Sequence, residues 1–337
     1  MTLFLLRRLA FILPQLFVVI VGTFVLLRAL DVDPVSKIAG SFATPETTAQ
    51  VEASLGLDRS LGAQLQSYLG GLVQGDLGES WTTNEPVTSE IAKRFPVTIQ
   101  LIGLGFGIAV LLAIPLGRSS AANPTRRREK ITTVYALFAG AQPDFWWGLI
   151  FAFVFFFKLG WLPAPLGILN TGVSGPSGPT NFILIDTLVH GEFDLFLSAL
   201  KHFVLPVMTM TFVLTGPILK IMRQAALDVH ESEYVLYANA AGFSEKVTKK
   251  MITRNSFAPV LTVIGILFGF SLGGAVLIET VFSLNGIGRY ALQSTLNVDF
   301  PAIQGAVIVM TAFSLLIYLT MDTAYALLDP RVRYSRV

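Results

Sequence analysis

The chain has 337 residues, of which 53% are hydrophobic and only 14% are charged, with a mean hydropathy of +0.65. An average soluble domain has about 25% charged residues, so this composition excludes an ordinary water-soluble globule and indicates an integral membrane protein. The net charge of +2 gives no support for a nucleic-acid partner, and the absence of cysteine excludes disulfides, thiol catalysis and cysteine-ligated metal.

The membrane-spanning segments are the first elements that the sequence predicts. A helix needs about 20 mostly apolar residues to cross the hydrocarbon layer, because every backbone group must be hydrogen-bonded within the segment. Six stretches have this length and composition, approximately residues 9–30, 97–117, 131–157, 203–219, 259–281 and 302–328. We therefore predict an all-α membrane protein with six transmembrane helices, and two long polar segments at 31–96 and 158–202.

The first span differs from a signal peptide. Arg7 and Arg8 precede an apolar run of about 22 residues, whereas the apolar region of a signal peptide has 7 to 15. We interpret this run as an uncleaved anchor. The predicted organisation is then an anchor span with an extracytoplasmic loop (1–96), a core transmembrane domain (97–328) and a cytoplasmic tail (329–337).

The charges of the connecting loops predict the orientation. Residues 118–130 contain five basic residues against one acidic residue, whereas residues 31–96 contain four basic and nine acidic residues. Lysine and arginine concentrate in cytoplasmic loops. The segment 220–254 adds six basic residues and the tail adds three arginines. We therefore expect both termini in the cytoplasm and an even number of spans.

The connection before the fifth span, residues 231–258, predicts a helix, a glycine stop and a second helix. Small and aromatic residues recur at helical spacing, which indicates the first helix. Gly242 suits the left-handed position after that helix, and Ser244 can cap the next helix. Pro259 falls at or just before the first turn of the fifth span. The recurring residues are Tyr234, Tyr237, Ala238 and Ala241. Helical spacing alone leaves two interpretations, which are a docking element for a soluble partner and an interfacial helix lying on lipid.

The same segment carries a family resemblance. It reads E-Y-V-L-Y-A-N-A-A-G-F-S at 233–244 and R-N-S-F-A-P at 254–259, and it resembles the coupling motif of ABC importer permeases of the dipeptide, oligopeptide and nickel branch. Leu236 stands where the wider EAA motif opens with Glu. The resemblance to the first permease type of that branch extends along the chain through LGLDRSLGAQLQSYL (55–69), PVTSEIAKRFPVTIQL (86–101), LGGAVLIETVFSLNGIGRYAL (272–292), DFPAIQG (299–305) and ALLDPRVRY (326–334).

The resemblance implies a type I ABC importer permease fold with a cytoplasmic coupling helix, in a bacterial plasma (inner) membrane. It implies that Tyr234, Ala238, Ala240 and Gly242 couple to an ATPase. The implied partners are a second homologous permease, two ATP-binding subunits and an extracytoplasmic substrate-binding protein. The implied cargo is a di- or oligopeptide, with a nickel chelate as the alternative.

The sequence itself contains no G-x-x-x-x-G-K-[ST] loop with which to bind ATP. We therefore expect this chain to be a non-catalytic subunit without a cofactor of its own, with ATP and magnesium bound on partner subunits. The three histidines, His190, His202 and His230, are not spaced as metal ligands, so no metal site is expected.

An acidic residue near the middle of the third span is the candidate for a translocation path or gate. Asp144 follows Gln142 and Pro143, and an unpaired charge at this depth costs about 2.5 to 3.5 kcal/mol on insertion scales. We therefore expect that Asp144 does not face lipid. Two interpretations stay open, which are a water-filled path or gate at the Pro143 break and a hydrogen-bonded contact between helices.

Two competing functions use the same spans. Residues 269–273 match the G-x-S-x-G nucleophile elbow, but they lie within an apolar span, where its strained turn is not expected. Glycines here would instead allow close helix packing. A secondary transporter or channel without ATPase partners is the other competitor. Glu279 and Arg289 flank the outer end of the fifth span, and two interpretations stay open for them, which are a rim pair and contacts with an external partner. Asp322 is a candidate for an anchor paired with Arg331 or Arg333.

Overall fold

The structure is a computed structural model that describes residues 2–30, 32–40, 43–122, 126–170, 172–173, 175, 178 and 180–328, with the backbone alone at 2–5, 126 and 328. In chain order the helices are α1 (Thr2–Ala29), α2 (Pro34–Ala39), α3 (Pro45–Ser54), α4 (Leu61–Val73), α5 (Val87–Ala122), α6 (Arg126–Gly140), α7 (Asp144–Phe151), a π-helix (Ala152–Lys158), α8 (Ile183–Val189), α9 (Phe193–His230), α10 (Glu233–Ala240), α11 (Glu245–Val281), α12 (Ile287–Asn297) and α13 (Phe300–Leu328). The predicted tail, with Arg331 and Arg333, lies outside the described residues.

The predicted all-α membrane fold is confirmed. Five helices, α1, α5, α9, α11 and α13, are long and apolar enough to cross a membrane, and the pair formed by α6 and α7 makes a sixth if it counts as one span. Within the described part of the chain, the only extended pairing is an isolated antiparallel bridge between Glu79 and Pro86. The protein is therefore a multi-pass membrane protein.

Several helices extend well beyond the apolar segments that predicted them. The helix α5 begins at Val87, α9 begins at Phe193 and α11 begins at Glu245, so the boundary drawn between residues 96 and 97 falls inside α5. Hydropathy marks the part of a helix that contacts lipid, whereas the helix itself continues through polar turns. The placement of Pro259 at the start of a span was wrong, because Pro259 lies inside α11.

The third predicted span is not one helix. The helices α6 and α7 meet at an angle of 103° across a short break, so residues 131–157 do not form one continuous helix, although the bent pair still counts as a candidate sixth span. A proline disfavours the helical conformation of the residue before it, here Gln142. Pro143 itself is extended and precedes the first residue of α7. The break therefore follows from Pro143.

The core forms where α5 packs on α9. The two chains approach closely because α5 presents a small residue at every fourth position, namely Gly105, Ala109, Ala113 and Gly117. A Cβ atom added at Gly105 would lie 2.8 Å from the Cγ atom of Met210, and one at Gly117 would lie 2.9 Å from the carbonyl oxygen of Leu219. This is the small-residue packing by which helices associate in lipid.

Ion pairs bring the chain ends and the basic connections to one end of the bundle. Arg8 of α1 lies 3.1 Å from Asp322 of α13, so Asp322 pairs with Arg8 in the structure. Arg223 near the end of α9 lies 3.0 Å from Glu129 near the start of α6. The positive-inside rule predicts that this end, which we call the basic end, faces the cytoplasm.

The two long polar segments lie at the opposite end of the bundle, which we call the outer end. The side-chain amide of Asn181 donates to the carbonyl of Ala92 at 3.3 Å. The hydroxyl of Ser80 donates to Asp299 at 2.6 Å, and the backbone N–H of Thr82 donates to the same carboxylate at 3.0 Å. Asn181 thus joins the segment 158–202 to α5, while Ser80 and Thr82 join the segment 31–96 to Asp299, directly before α13.

The last turn of α11 carries a buried carboxylate that joins three helices at the outer end. Glu279 is fully buried, accepts a hydrogen bond from the Thr98 hydroxyl of α5, and accepts another from the backbone N–H of Arg289 in α12 at 2.8 Å. The Thr98 hydroxyl in turn accepts from the N–H of Ile287 at 2.9 Å. The interpretation of Glu279 and Arg289 as an exposed rim pair was therefore wrong.

We expect Glu279→Ala to lower the free energy of unfolding by about 2 to 3 kcal/mol, because it leaves buried donors without an acceptor. Thermal unfolding of the protein in detergent measures this loss. Glu52→Ala, at an exposed position of α3, is the matched control and should stay within about 0.5 kcal/mol. Equal stability of the two variants would contradict the anchoring role of Glu279.

Candidate functional site

The segment between α9 and α11 forms a short helix that ends in a tightly bonded turn. The N–H of Phe243 donates to the carbonyl of Ala238 at 3.0 Å, and the N–H of Gly242 donates to the carbonyl of Asn239 at 3.1 Å. This pair of bonds is the Schellman arrangement, which needs a left-handed residue after the helix. Gly242 supplies it with a φ of +76°. The predicted helix, glycine stop and second helix are therefore present at the basic end.

The predicted coupling residues divide into exposed and buried ones. Tyr234, Ala240 and Gly242 are exposed, whereas Ala238 is only 2% exposed and packs inward beside the fully buried Val235. Ala238 therefore lies on the inner side of α10 and has almost no exposed surface for a partner. The predicted stripe of Tyr234, Ala238 and neighbours is thus not one exposed face.

Side-chain hydrogen bonds fix α10 against the first turns of α11. The side-chain amide of Asn255 donates to the hydroxyl of Tyr234 at 3.1 Å. The hydroxyl of Thr248 donates to the side-chain oxygen of Asn239 at 3.3 Å. Ser244 stands at the N-terminus of α11, but its side chain makes no capping hydrogen bond. The two side-chain hydrogen bonds therefore join α10 directly to α11.

The outward side of α10 is apolar, which the sequence analysis missed. Leu236 is 57% exposed, Tyr237 is 75% exposed, and Phe243 in the following turn is also exposed. Contiguous exposed apolar groups mark surfaces for protein or membrane contact. The sequence signal for this surface is the spacing of Val235 and Ala238. These two residues lie three positions apart and pack inward, so the residues on the opposite side of α10 are exposed.

Asp144 lies at the N-terminus of α7 and rests on a glycine of α11. A Cβ atom added at Gly274 would lie 2.3 Å from the Oδ2 atom of Asp144. The carboxylate is stabilised there by the positive end of the helix dipole. It is partly exposed, and among the described residues no ion pair involves it.

The break before Asp144 is itself open to the surroundings. Gln142 and Pro143 are both exposed. Just behind them Trp147 is buried, with its ring centroid 4.9 Å from Phe138 of α6 and 4.6 Å from Phe212 of α9. This aromatic cluster holds α7 in place next to the break at which Gln142, Pro143 and Asp144 lie.

The two groups of predicted residues lie beside different parts of α11. Gly242 precedes the first residue of α11, whereas Gly274, beneath Asp144, lies about 45 Å further along it at 1.5 Å per residue. The structure therefore brings together Gln142, Pro143 and Asp144, and separately Tyr234, Ala238, Ala240 and Gly242. The helix α11 is the element that connects them.

The residues of the G-x-S-x-G match lie in the uninterrupted helix α11. The hydroxyl of Ser271 donates to the carbonyl of Phe268 at 2.7 Å in the same helix. A Cβ atom at Gly269 would meet the hydroxyl of Tyr318, while Gly273 has open space around it. The strained turn of a nucleophile elbow is therefore not formed here. Gly269 instead leaves space for the hydroxyl of Tyr318.

The histidines make local contacts. The Nδ1 atoms of His190 and His202 each lie 2.7 Å from the carbonyl oxygen four residues earlier in the chain. His230 lines a cleft at the basic end. Within the described ranges, no group of three or more histidine, aspartate or glutamate residues is arranged to hold a metal ion.

The sequence matches two family models. Residues 113–334 match the model described as binding-protein-dependent transport system inner membrane component. Residues 1–102 match the model of the N-terminal part of such membrane components. Together the matches cover the anchor span, the outer loop and the core helices.

Relatives are similar over the whole chain. A di/tripeptide transport system permease protein DppB of Pseudomonas aeruginosa is 35% identical over 335 residues, which cover 99% of each chain. A dipeptide transport system permease protein DppB of Alkalihalophilus pseudofirmus is 33% identical over 97% of this chain and 98% of its own. The protein of that name in Escherichia coli is 32% identical over 99% of each chain.

We expect Gly274→Ala to lower the free energy of unfolding by about 1 to 3 kcal/mol, because the added methyl group overlaps the carboxylate of Asp144. Gly273→Ala is the matched control on the neighbouring residue, and it should be neutral or slightly stabilising.

The double variant Gly274→Ala with Asp144→Ala should recover most of the loss, since it removes the group that is overlapped. Thermal unfolding in detergent of the single and double variants measures the coupling. Additive effects of the two substitutions would show that Asp144 does not rest on Gly274.

Proposed function

The chain belongs to the family of binding-protein-dependent transport system inner membrane components, and from this membership we propose that it is a peptide-translocating permease subunit of an ATP-driven importer. The observation that carries the proposal is the whole-length similarity to permeases named for dipeptide and di/tripeptide transport. Those names favour peptides over the nickel-chelate alternative. They equally favour an importer subunit over an ATP-independent secondary transporter.

The partners of the proposed complex are a second homologous permease, two ATP-binding subunits and an extracytoplasmic substrate-binding protein. The surface at Gln142, Pro143 and Asp144 supports a second permease, because a partly exposed carboxylate needs water or protein beside it instead of hydrocarbon. The path then runs along this surface, between the two permeases. Selectivity for cargo rests largely with the substrate-binding protein, which meets the outer segments 31–96.

The exposed apolar side of α10 supports docking of an ATP-binding subunit. Ala240 and Gly242 let a partner backbone approach, while Tyr234 supplies aromatic contact area. ATP and magnesium are bound on that partner, and this subunit carries out no covalent chemistry. This assignment places the basic end, with both termini, in the cytoplasm of a bacterial cell, and the protein in its plasma membrane.

The mechanism that follows is alternating access. ATP binding brings the two partner ATPases together and moves α10, and the hydrogen bonds from Asn255 and Thr248 carry that movement into α11. Because Asp144 rests on Gly274 of α11, the same movement changes the path surface. The coupling can shift the equilibrium between inward-open and outward-open states only as far as the contact energies differ in the two states.

Uptake by the reconstituted complex tests the proposal. The tagged chain is purified in mild detergent with the subunits that accompany it, reconstituted in proteoliposomes with the substrate-binding protein, and offered labelled dialanine, tetra-alanine and a nickel–histidine chelate. We expect peptide accumulation that requires ATP and stops when ATP hydrolysis is blocked. Accumulation driven by an ion gradient without ATP would identify a secondary transporter, and uptake of the chelate alone would reassign the cargo.

We expect Gly242→Val to uncouple ATP hydrolysis from uptake. A β-branched residue at a φ of +76° costs roughly 1 to 2 kcal/mol, which is enough to distort the turn while the spans still insert. The measurement is the number of ATP molecules hydrolysed per peptide imported, which should rise severalfold.

The control is Gly75→Val in the outer segment, where the backbone has a similar φ of +79° and open space. It carries the same local strain away from α10 and should leave the coupling ratio unchanged. An unchanged ratio for Gly242→Val as well would remove the turn from the coupling mechanism.

A further inference from the structure

A cleft opens beneath the turn at the basic end, between the end of α5, the end of α9 and the start of α11. Its volume is about 530 Å³. Apolar side chains from all three helices and from the turn line it, namely Pro115, Ala121, Ala122, Ala226, Phe243 and Ile252. Polar and charged residues line the rest of the cleft, namely Arg118, Ser119, His230, Asn239, Glu245, Thr248, Lys249 and Thr253. The apolar side chains therefore form one part of the cleft, which we call the trough.

Cations surround a second hollow that shares a wall with this trough. Its lining includes five basic residues and one acidic residue, namely Arg118, Lys246, Lys249, Lys250, Arg254 and Glu245. Glu245 lies 2.6 Å from Lys249 and pairs with it. No ion pair among the described residues involves the other four cations. The rim of the trough thus carries an uncompensated positive charge.

On both α5 and α11, cations of the rim and exposed apolar residues lie on the same helix. On α5, Leu112 and Leu116 are exposed apolar residues immediately before Arg118. On α11, Lys250 and Arg254 precede the exposed apolar surface that includes Ile266. Cations next to an exposed apolar surface lie at the height of lipid headgroups.

We propose that the trough and its basic rim bind one anionic phospholipid, with the phosphate among Lys246, Lys250 and Arg254 and an acyl chain along the trough. Positive charge at headgroup depth beside an apolar channel is complementary to the two parts of such a lipid. Basic pockets between transmembrane helices on the cytoplasmic side bind anionic headgroups in this way. The lipid would lie beneath Phe243 and so support the turn that follows α10.

The charges also argue against another occupant from the same chain. The C-terminal segment 329–337 contains three arginines and one aspartate, so its net charge repels the basic rim. The proposal is independent of the cargo and of the partner subunits, because it requires only a bundle in a membrane. Its failure would leave the proposed transport function untouched.

Native mass spectrometry of the intact complex tests lipid binding directly. The complex is titrated in detergent with dioleoyl phosphatidylglycerol or dioleoyl phosphatidylcholine, and bound lipid is counted. The variant with Lys246→Gln and Lys250→Gln should bind phosphatidylglycerol about tenfold more weakly and phosphatidylcholine as before. Ala122→Trp, which fills the trough, should weaken phosphatidylglycerol binding without a change of charge.

The matched control is the variant with Arg127→Gln and Lys130→Gln, which loses the same charge at the same end of the bundle but outside the cleft. It should bind phosphatidylglycerol like the unmodified complex. An equal loss in both double variants would mean non-specific attraction and would overturn the proposal.

Two further results would overturn it as well. Displacement of phosphatidylglycerol by soluble glycerol phosphate at equal concentration would show an anion site without an acyl-chain site. Loss of ATP-binding subunits from the Lys246→Gln and Lys250→Gln variant, with unchanged lipid affinity, would show that the basic rim contacts an acidic partner protein.

Discussion

The close approach of α5 to α9 is the constraint on which the rest of the structure depends. In lipid the hydrophobic effect does not drive helices together, so packing must do so. The small residues from Gly105 to Gly117 allow this, and Thr211 of α9 adds a hydrogen bond of 3.1 Å to the carbonyl of Gly105. Because this pair is fixed, α11 and α7 have a rigid surface against which they can be positioned, and both candidate sites lie on helices that pack against it.

Three polar groups of the bundle lie where a backbone offers a donor or where a glycine leaves space for them. Glu279 accepts from Thr98 and from the backbone of α12, while Asp144 and the hydroxyl of Tyr318 occupy the space left by glycines of α11. An unsatisfied polar group is costly in a low-dielectric interior. Gly269 and Gly274 of α11 therefore leave space for polar side chains, in addition to allowing close helix packing.

The sequence predicted the fold class, the approximate spans and the helix, glycine turn and helix before α11, because lipid imposes a length on apolar segments and a positive φ favours glycine. It indicated a break at Pro143 but not the angle of 103°, since a bent span and a straight one have the same hydropathy. It placed Ala238 on an outer face because spacing identifies residues that share a side, but not which side packs inward. The pairings of Asp322 and Glu279 depend on contacts distant in sequence, which no local pattern reveals.

The arrangement of α11 connects these levels physically. The helix α11 begins after the turn at Gly242, next to exposed apolar residues. Further along, Gly274 contacts the carboxylate of Asp144, and in the last turn the buried Glu279 binds the backbone of α12. A helix transmits displacement along its axis well when its hydrogen bonds are intact, and Pro259 removes one of them about a third of the way along. A bend at this position would let the segment next to α10 tilt further than the segment anchored at Glu279. Under the proposed function, part of a partner's movement would then reach Asp144 through Gly274, while the bend at Pro259 takes up the rest of it. A small docking element could in this way act without loosening the outer end.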